Sequence, residues 1–332
     1  MRKGINPEKI NLTKLKHKSH RVIVPFWIPN VTDDYFKHQP EILRLCLQSL
    51  INSIDFSRTN ITLINNNSCT EATDIAEEFV KKGFIDKYVK QIENRGKLEV
   101  IIAEAKGATE DFITISDADM LFYSGWENTV IQIFTKFKRA GVVTCYPMPQ
   151  HAFHFNISWI FTSCWKSGSI VEKKEMDLVN HSCGQDGLGW FKNLGVRKKY
   201  SWYDKQYYLQ KDDIKVCLGA SHALATMKRD IFQHLPFKKV EFAMKRSYIA
   251  EHLDYFSEFL GYYRLSTPKC WAYHMGDTLP DDEILKRKVS DSPKTMQFPE
   301  YKRRSGRYIW WHKKRLIIMV IFFHVFSKIK FI

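Results

Sequence analysis

No Cys-x-x-Cys pair occurs among the seven cysteines, which are scattered and odd in number. Neither a zinc site nor a disulfide framework is therefore indicated, and the thiols read as reduced and buried in a cytosolic protein. Met1–His20 is polar and basic and lacks the apolar stretch of a secretory leader. Acidic residues are outnumbered, 36 Asp and Glu against 51 Lys and Arg, for a net charge of +15. An anionic partner follows from that imbalance. The basic residues gather at the termini and no recognition motif accompanies them, so nucleic acid is not expected as that partner. Internal repeats and low-complexity segments are missing as well. What remains, 44% hydrophobic and 26% charged residues, is the composition of an ordinary globular chain able to bury a sizeable core.

Strand and helix signals alternate through the first half. Arg21–Pro25, Asn60–Asn65, Asp86–Lys90, Asp111–Ser116 and Val142–Tyr146 read as short buried strands. Between them, Glu41–Ser53, Thr70–Lys82, Lys97–Gly107 and Trp126–Arg139 carry helical spacing. This rhythm implies βαβ units and an α/β fold around a mostly parallel sheet, whose ligands bind beyond the carboxyl ends of the strands. The second half is less regular. Gln150–Lys215 shows no clean period, Gly219–Asp230 reads as a strand entering a helix, and Tyr248–Gly261 reads as a helix.

The residues that carry chemistry follow the strand at Asp111–Ser116: Ser116-Asp117-Ala118-Asp119-Met120. Alternate positions of an extended segment point the same way, so both carboxylates can face one spot at the sheet edge. Convergent carboxylates repel unless a cation lies between them. Their hard oxygens suit Mg²⁺ or Mn²⁺, an ion that would also neutralise a departing diphosphate.

In this context a resemblance emerges. Val22-Ile23-Val24-Pro25, the helix after it, Leu63-Ile64-Asn65-Asn66-Asn67-Ser68, Asn94-Arg95-Gly96-Lys97 and Phe112–Met120 occur in an order and spacing similar to the nucleotide-binding half of glycosyltransferase family 2 and related GT-A enzymes. More faintly, Gly219-Ala220-Ser221-His222 through Phe232, Glu251-His252-Leu253-Asp254, Gly261-Tyr262-Tyr263-Arg264-Leu265 and Tyr273-His274-Met275-Gly276 resemble the acceptor half. The resemblance implies a GT-A, Rossmann-like fold and a metal-dependent, inverting transfer of sugar from a nucleotide-diphosphate donor to a glycan or lipid-linked acceptor. It marks a nucleotide-sugar-binding half (21–148) and an acceptor half with an insertion (149–276), and composition adds a basic segment (1–20), a linker (277–309) and a membrane-interface helix (310–332).

Roles carry over by position. Asp119 is assigned to the metal and Asp117 to the donor ribose and the metal shell, with His274 as a third ligand. Pro25, Asn65, Asn94 and Lys97 are assigned to the donor. The family usually has Asp where Asn65 stands, which leaves the base of the nucleotide open. An inverting transfer needs a group to deprotonate the acceptor hydroxyl. Where the family places a carboxylate pair, this chain has Glu251 and His252, with Asp254 on the same helical face as Glu251. Glu251, Asp254 and His252 are the candidates, in that order, and Asp186 in Gly-Gln-Asp-Gly competes with them.

Tyr301–Ile332 carries nine Lys or Arg and no acid, around the apolar run Leu316–Phe326. Crossing a bilayer needs about 20 apolar residues. A shorter run flanked by Trp310, Trp311 and Lys313-Lys314-Arg315 fits a basic amphipathic helix lying on an anionic membrane surface. The expected location is therefore cytoplasmic, peripheral on the inner face of the cell membrane. Two other readings compete. A nucleotidyltransferase of related architecture would need a glycine-rich phosphate loop after its first strand, and Pro25–Asn30 has no glycine. A non-enzymatic anionic-surface binding protein would use the basic tail alone.

Overall fold

The computed structural model describes residues 4, 17–182, 202–235, 253–289 and 296–328, with backbone alone at 180–182 and 323–328. Four parallel strands form the first half of the main sheet: β1 (His20–Phe26) pairs with β2 (Thr59–Asn65) on one side and β4 (Phe112–Ser116) on the other, and β3 (Lys87–Lys90) extends β2. Helices α1 (Gln39–Ser53), α2 (Thr70–Lys81) and α3 (Lys97–Gly107) make the crossovers. Strands covered on both faces read as continuous apolar runs, which is why β1 and β2 are recognisable in the sequence. Alternation then splits them between layers. Val22 and Val24 face a core shared with Leu47 and Phe79, whereas Ile23 faces a second core with Ile101 and Ile231.

The sheet continues beyond β4 with mixed polarity. β10 (Leu224–Lys228) inserts antiparallel between β4 and β6 (Ala140–Thr144), and β11 (Tyr263–Ser266) runs parallel to β6. β9 (Ile214–Leu218), β8 (Gln206–Lys211) and β7 (Trp165–Gly168) complete ten strands in the order β3-β2-β1-β4-β10-β6-β11-β9-β8-β7. The result is an α/β fold whose first strands are parallel, as expected, with an antiparallel extension that lies mostly within Gln150–Lys215, where no period was legible. A separate ribbon pairs β5 (Met120–Phe122) with β12 (Ala272–His274).

Boundaries differ where tertiary contacts intervene. Helix α1 starts two residues earlier than expected, with Pro40 in its first turn, where a missing N–H costs nothing. β6 starts and ends earlier than Val142–Tyr146. Gly141 permits this, because a Cβ there would fall 2.3 Å from that of Tyr262. Within Tyr248–Gly261 the described helix is α7 (Tyr255–Phe259), entered through π-helical backbone at Leu253 and Asp254. The other helices are α4 (Trp126–Lys136), α5 (Lys173–Ser182), α6 (Arg229–Gln233), α8 (Asp282–Leu285) and α9 (Gly306–Lys328).

The described parts of 277–309, read as a linker, pack against the domain. Ile284 is buried, Phe298 stacks on Phe112 at 4.6 Å, and the Tyr301 hydroxyl donates to Asp111 O at 3.2 Å. Helix α9 separates charge along its length rather than around it. Its first half holds Arg307 and Lys313-Lys314-Arg315, and apolar side chains occupy every side of Leu316–Phe322. Ile309, His312, Leu316 and Met319 pack inward, while Trp311, Ile317, Ile318 and Ile321 are more than half exposed. Among the described residues no helix is long and apolar enough to cross a membrane.

Candidate active site

The two acids of the Asp-x-Asp segment lie at the carboxyl end of β4, where the chain leaves the sheet for the β5–β12 ribbon. The Asp117 N–H donates to Ala223 O at 2.7 Å, tying the segment to the entry of β10. His274 pairs with Met120 across the ribbon, and Met275 N–H donates to Asp119 O at 2.8 Å. These backbone bonds set the His274 imidazole beside Asp119, Nε2 to Oδ2 at 3.1 Å. One ligand atom from each of Asp117, Asp119 and His274 lies within 4.8 Å of the others. Asp119 Oδ1 is buried and, among the described residues, has no hydrogen-bond partner, an arrangement that leaves a strong acceptor unused. Burial pushes the Asp119 carboxyl up, yet His274 and Lys97 outweigh it and hold the group below its ordinary value. Two carboxylates and an imidazole are a donor set that fits Mn²⁺ well and Mg²⁺ less so.

Lys97 reaches the same spot. The turn before α3 is closed by Asn94 Oδ1, which accepts from Gly96 N–H at 2.9 Å, and Gly96 has φ +79°. That geometry launches α3 so that Lys97 Nζ ion-pairs with Asp117 Oδ1. Asn94 is exposed and also accepts from Asn66 Nδ2 at 2.9 Å. Asn65 is fully buried. Its Nδ2 donates to Thr73 Oγ1 at 2.9 Å and Tyr88 Oη at 3.2 Å, and its Oδ1 accepts from Ser68 N–H at 2.8 Å. Both ends of the amide thus hold the β2–α2 turn. Pro25 is buried in β1 opposite Ile64. One neighbour was not anticipated: the Tyr35 phenol is pushed up by burial and by the charges of Asp119, Asp277 and Asp117.

On the acceptor side, Glu251, His252 and Asp186 lie outside the described residues. Asp254 is 1% exposed and serves as a hub. His154 Nε2 and His222 Nδ1 approach its Oδ2 at 3.2 and 3.1 Å, and Arg264 approaches Oδ1 at 2.7 Å. Burial pushes the Asp254 carboxyl up, but Arg264, His222 and His154 overcome this and hold it well below the usual carboxylate range. The fully buried Arg264 also donates to Ala220 O at 2.7 Å, clamping the segment that carries His222. Gly219 is required in that segment: its φ is +122° and a Cβ would sit 2.2 Å from Met148 O. His222 precedes Ala223, the partner of Asp117, so the hub borders the acidic site. His222 and Arg264 were legible only as parts of motif-like stretches, and nothing in the sequence singled out His154.

The family model for glycosyl transferase family 2 matches residues 35–235, more than half of the chain. The chain belongs to glycosyl transferase family 2. Its fold is the GT-A, Rossmann-like α/β fold that the resemblance implied. Its structure is similar to a mannosyltransferase, PcManGT from Pyrobaculum calidifontis, solved with GDP-Man and Mn²⁺, at 13% identity and a TM-score of 0.43. That match covers 80% of this chain and 56% of the other. TarS from S. aureus, residues 1–349 with UDP-GlcNAc, matches at 16% identity and a TM-score of 0.31, over 39% of this chain and 34% of that one. The chain therefore spans about half, or less, of these relatives' length. No match was found among curated proteins.

Proposed function

We propose that this glycosyltransferase moves a sugar from a nucleotide-diphosphate donor to a glycan or lipid-linked acceptor, with inversion and with the help of a divalent cation, in polysaccharide or glycolipid synthesis at a membrane surface. The observation that carries the reading is the convergence of Asp117, Asp119 and His274 at the end of β4, with a buried Asp119 oxygen that has no hydrogen-bond partner among the described residues. Those three side chains would hold Mn²⁺ or Mg²⁺, which supplies Lewis-acid stabilisation of the leaving diphosphate.

The chain's own groups do the rest. Lys97 brings a cation beside Asp117, where it would meet the donor's phosphates. Pro25, Asn65 and Asn94 shape the nucleotide end, Asn65 by fixing the turn in which it is buried. Transfer forms a bond between the acceptor oxygen and the anomeric carbon, breaks the bond from that carbon to the diphosphate, and releases a proton. Asp254 is the retained candidate for the proton-accepting machinery, acting through His222. With Nδ1–H donating to Asp254, the Nε2 lone pair of His222 is available to the acceptor hydroxyl. Glu251 and His252 remain alternatives immediately before it. The cationic, aromatic first half of α9 would hold the enzyme on an anionic membrane surface.

A donor screen tests this directly. Nucleoside diphosphate release from GDP- and UDP-sugars is expected with Mn²⁺ and to be lost in EDTA. Equal release in both conditions from the active donor would remove the metal from the reading.

A further inference from the structure

Beside Asp254 the surface opens into a groove of about 700 Å³, within the size range of small-molecule sites. Phe155 and Ile157 line one side, Phe259 of α7 another, and Leu316, Val320 and Ile321 of α9 form the remaining wall. Polar groups are few. His154 lines the groove and bonds Asp254 Oδ2, so the groove reaches the proton-accepting hub. Lys313 lines it too, its ammonium 4.0 Å from the Phe259 ring centroid. Glu258 is buried against the Ser158 N–H at 2.7 Å.

Three features fix the class of occupant. Apolar walls of this extent reward hydrocarbon and penalise an unpartnered sugar hydroxyl. The cationic Lys313 complements a phosphate. The groove is also continuous with exposed Ile317 and Ile321, and Trp311 and Ile318 stand exposed elsewhere on the same helix, so a hydrocarbon chain could pass from a lipid surface into the groove along α9.

We propose that this groove holds the hydrocarbon chain of a phosphate-bearing, lipid-linked acceptor, with Lys313 on the phosphate and the reacting hydroxyl delivered to the His154–Asp254–His222 hub. The proposal rests on the glycosyl-transfer reading for its purpose, but chain binding is measurable without turnover.

The test is fluorescence of a dansylated fatty acid bound to the full chain, and its displacement by farnesyl phosphate or by farnesol. The wild type should bind the probe and release it to both. Val320→Trp, which fills the groove, should weaken probe binding at least tenfold. Ile317→Asp, at a mostly exposed position that tolerates a charge in the fold, should do the same. Lys313→Ala should weaken displacement by farnesyl phosphate roughly tenfold and leave that by farnesol unchanged. The Trp311→Asp, Ile318→Asp double variant should keep probe binding while losing adsorption to phosphatidylglycerol vesicles. Asp119→Ala should bind the probe like the wild type, so loss of transfer there would not touch this proposal. Three results would overturn it: no probe binding by the wild type, as when the chain's own residues fill the groove; binding unaffected by both groove variants; or binding abolished by the Trp311, Ile318 pair alone, which would put the chain on the outer helix face.

Discussion

The two carboxylate clusters of this chain, at Asp119 and at Asp254, bury charge in different ways. Near Asp119 two acids are crowded together, partly exposed, and among the described residues one carboxylate oxygen lacks a hydrogen-bond donor. At Asp254 a single carboxylate is sunk completely and surrounded by two imidazoles and a guanidinium. The first arrangement favours an incoming cation and the second orients neighbouring histidines. Structural carboxylates repeat the contrast. Glu127, beneath the donor half, is buried, yet His20, Arg58 and Thr59 outweigh that burial and hold its carboxyl down to about 2. Glu258, beside the groove, has chiefly backbone donors, and burial pushes it up to about 7. What burial does to an acid is decided by who shares the cavity.

The largest test of that comparison is Asp119→Ala. It should lower transfer by about a thousandfold or more, the scale on which transition-state charge stabilisation operates. Steady-state rates at saturating Mn²⁺ check it. Next comes Asp254→Asn, which keeps the shape and removes the charge that orients His222. We expect kcat to fall by about a thousandfold, within the range of acid–base catalysis, with KM for the donor unchanged. A proportional rise in donor KM instead would make Asp254 a structural prop of the whole site.

A third effect concerns stability. Glu258 takes up a proton more readily in the folded state, about 7, than at its ordinary 4.5. Its contribution is therefore complete below about pH 4.5 and is lost as pH rises through 7, by roughly 3 kcal/mol at most. Glu258→Gln should flatten that part of the stability curve in urea titrations. Glu127 has the opposite sign, its contribution being present above 4.5 and lost as pH falls toward about 2, so the same substitution there should flatten the acid limb. Smallest of all, Trp311→Asp with Ile318→Asp should change the denaturation midpoint little, because both side chains are exposed. Only vesicle binding should respond.

The donor half was legible because its signals are local. Strands buried on both faces, a turn with Asn94 and Gly96, and two acids spaced for one face are all written within a few residues. Asn65 shows the limit of that reading, since its motif-like position suited a base contact, whereas its amide is spent on Thr73, Tyr88 and Ser68. Of the Asp254 hub, only Asp254 itself was singled out in the sequence. His154, His222, Asp254 and Arg264 come from four separate segments, and only the folded sheet brings them together. The tail was legible as a cationic cluster followed by an apolar run, and the two occupy successive turns of α9; the sequence did not show that this helix also walls the groove.

The central claim is that Asp117, Asp119 and His274 form one ion site. Titrating Mn²⁺ into the protein and following the free-ion EPR signal tests it most directly. The wild type should bind one equivalent in the presence of a nucleoside diphosphate, with binding lost in Asp119→Ala and weakened in His274→Ala. Undiminished binding in both variants would contradict it.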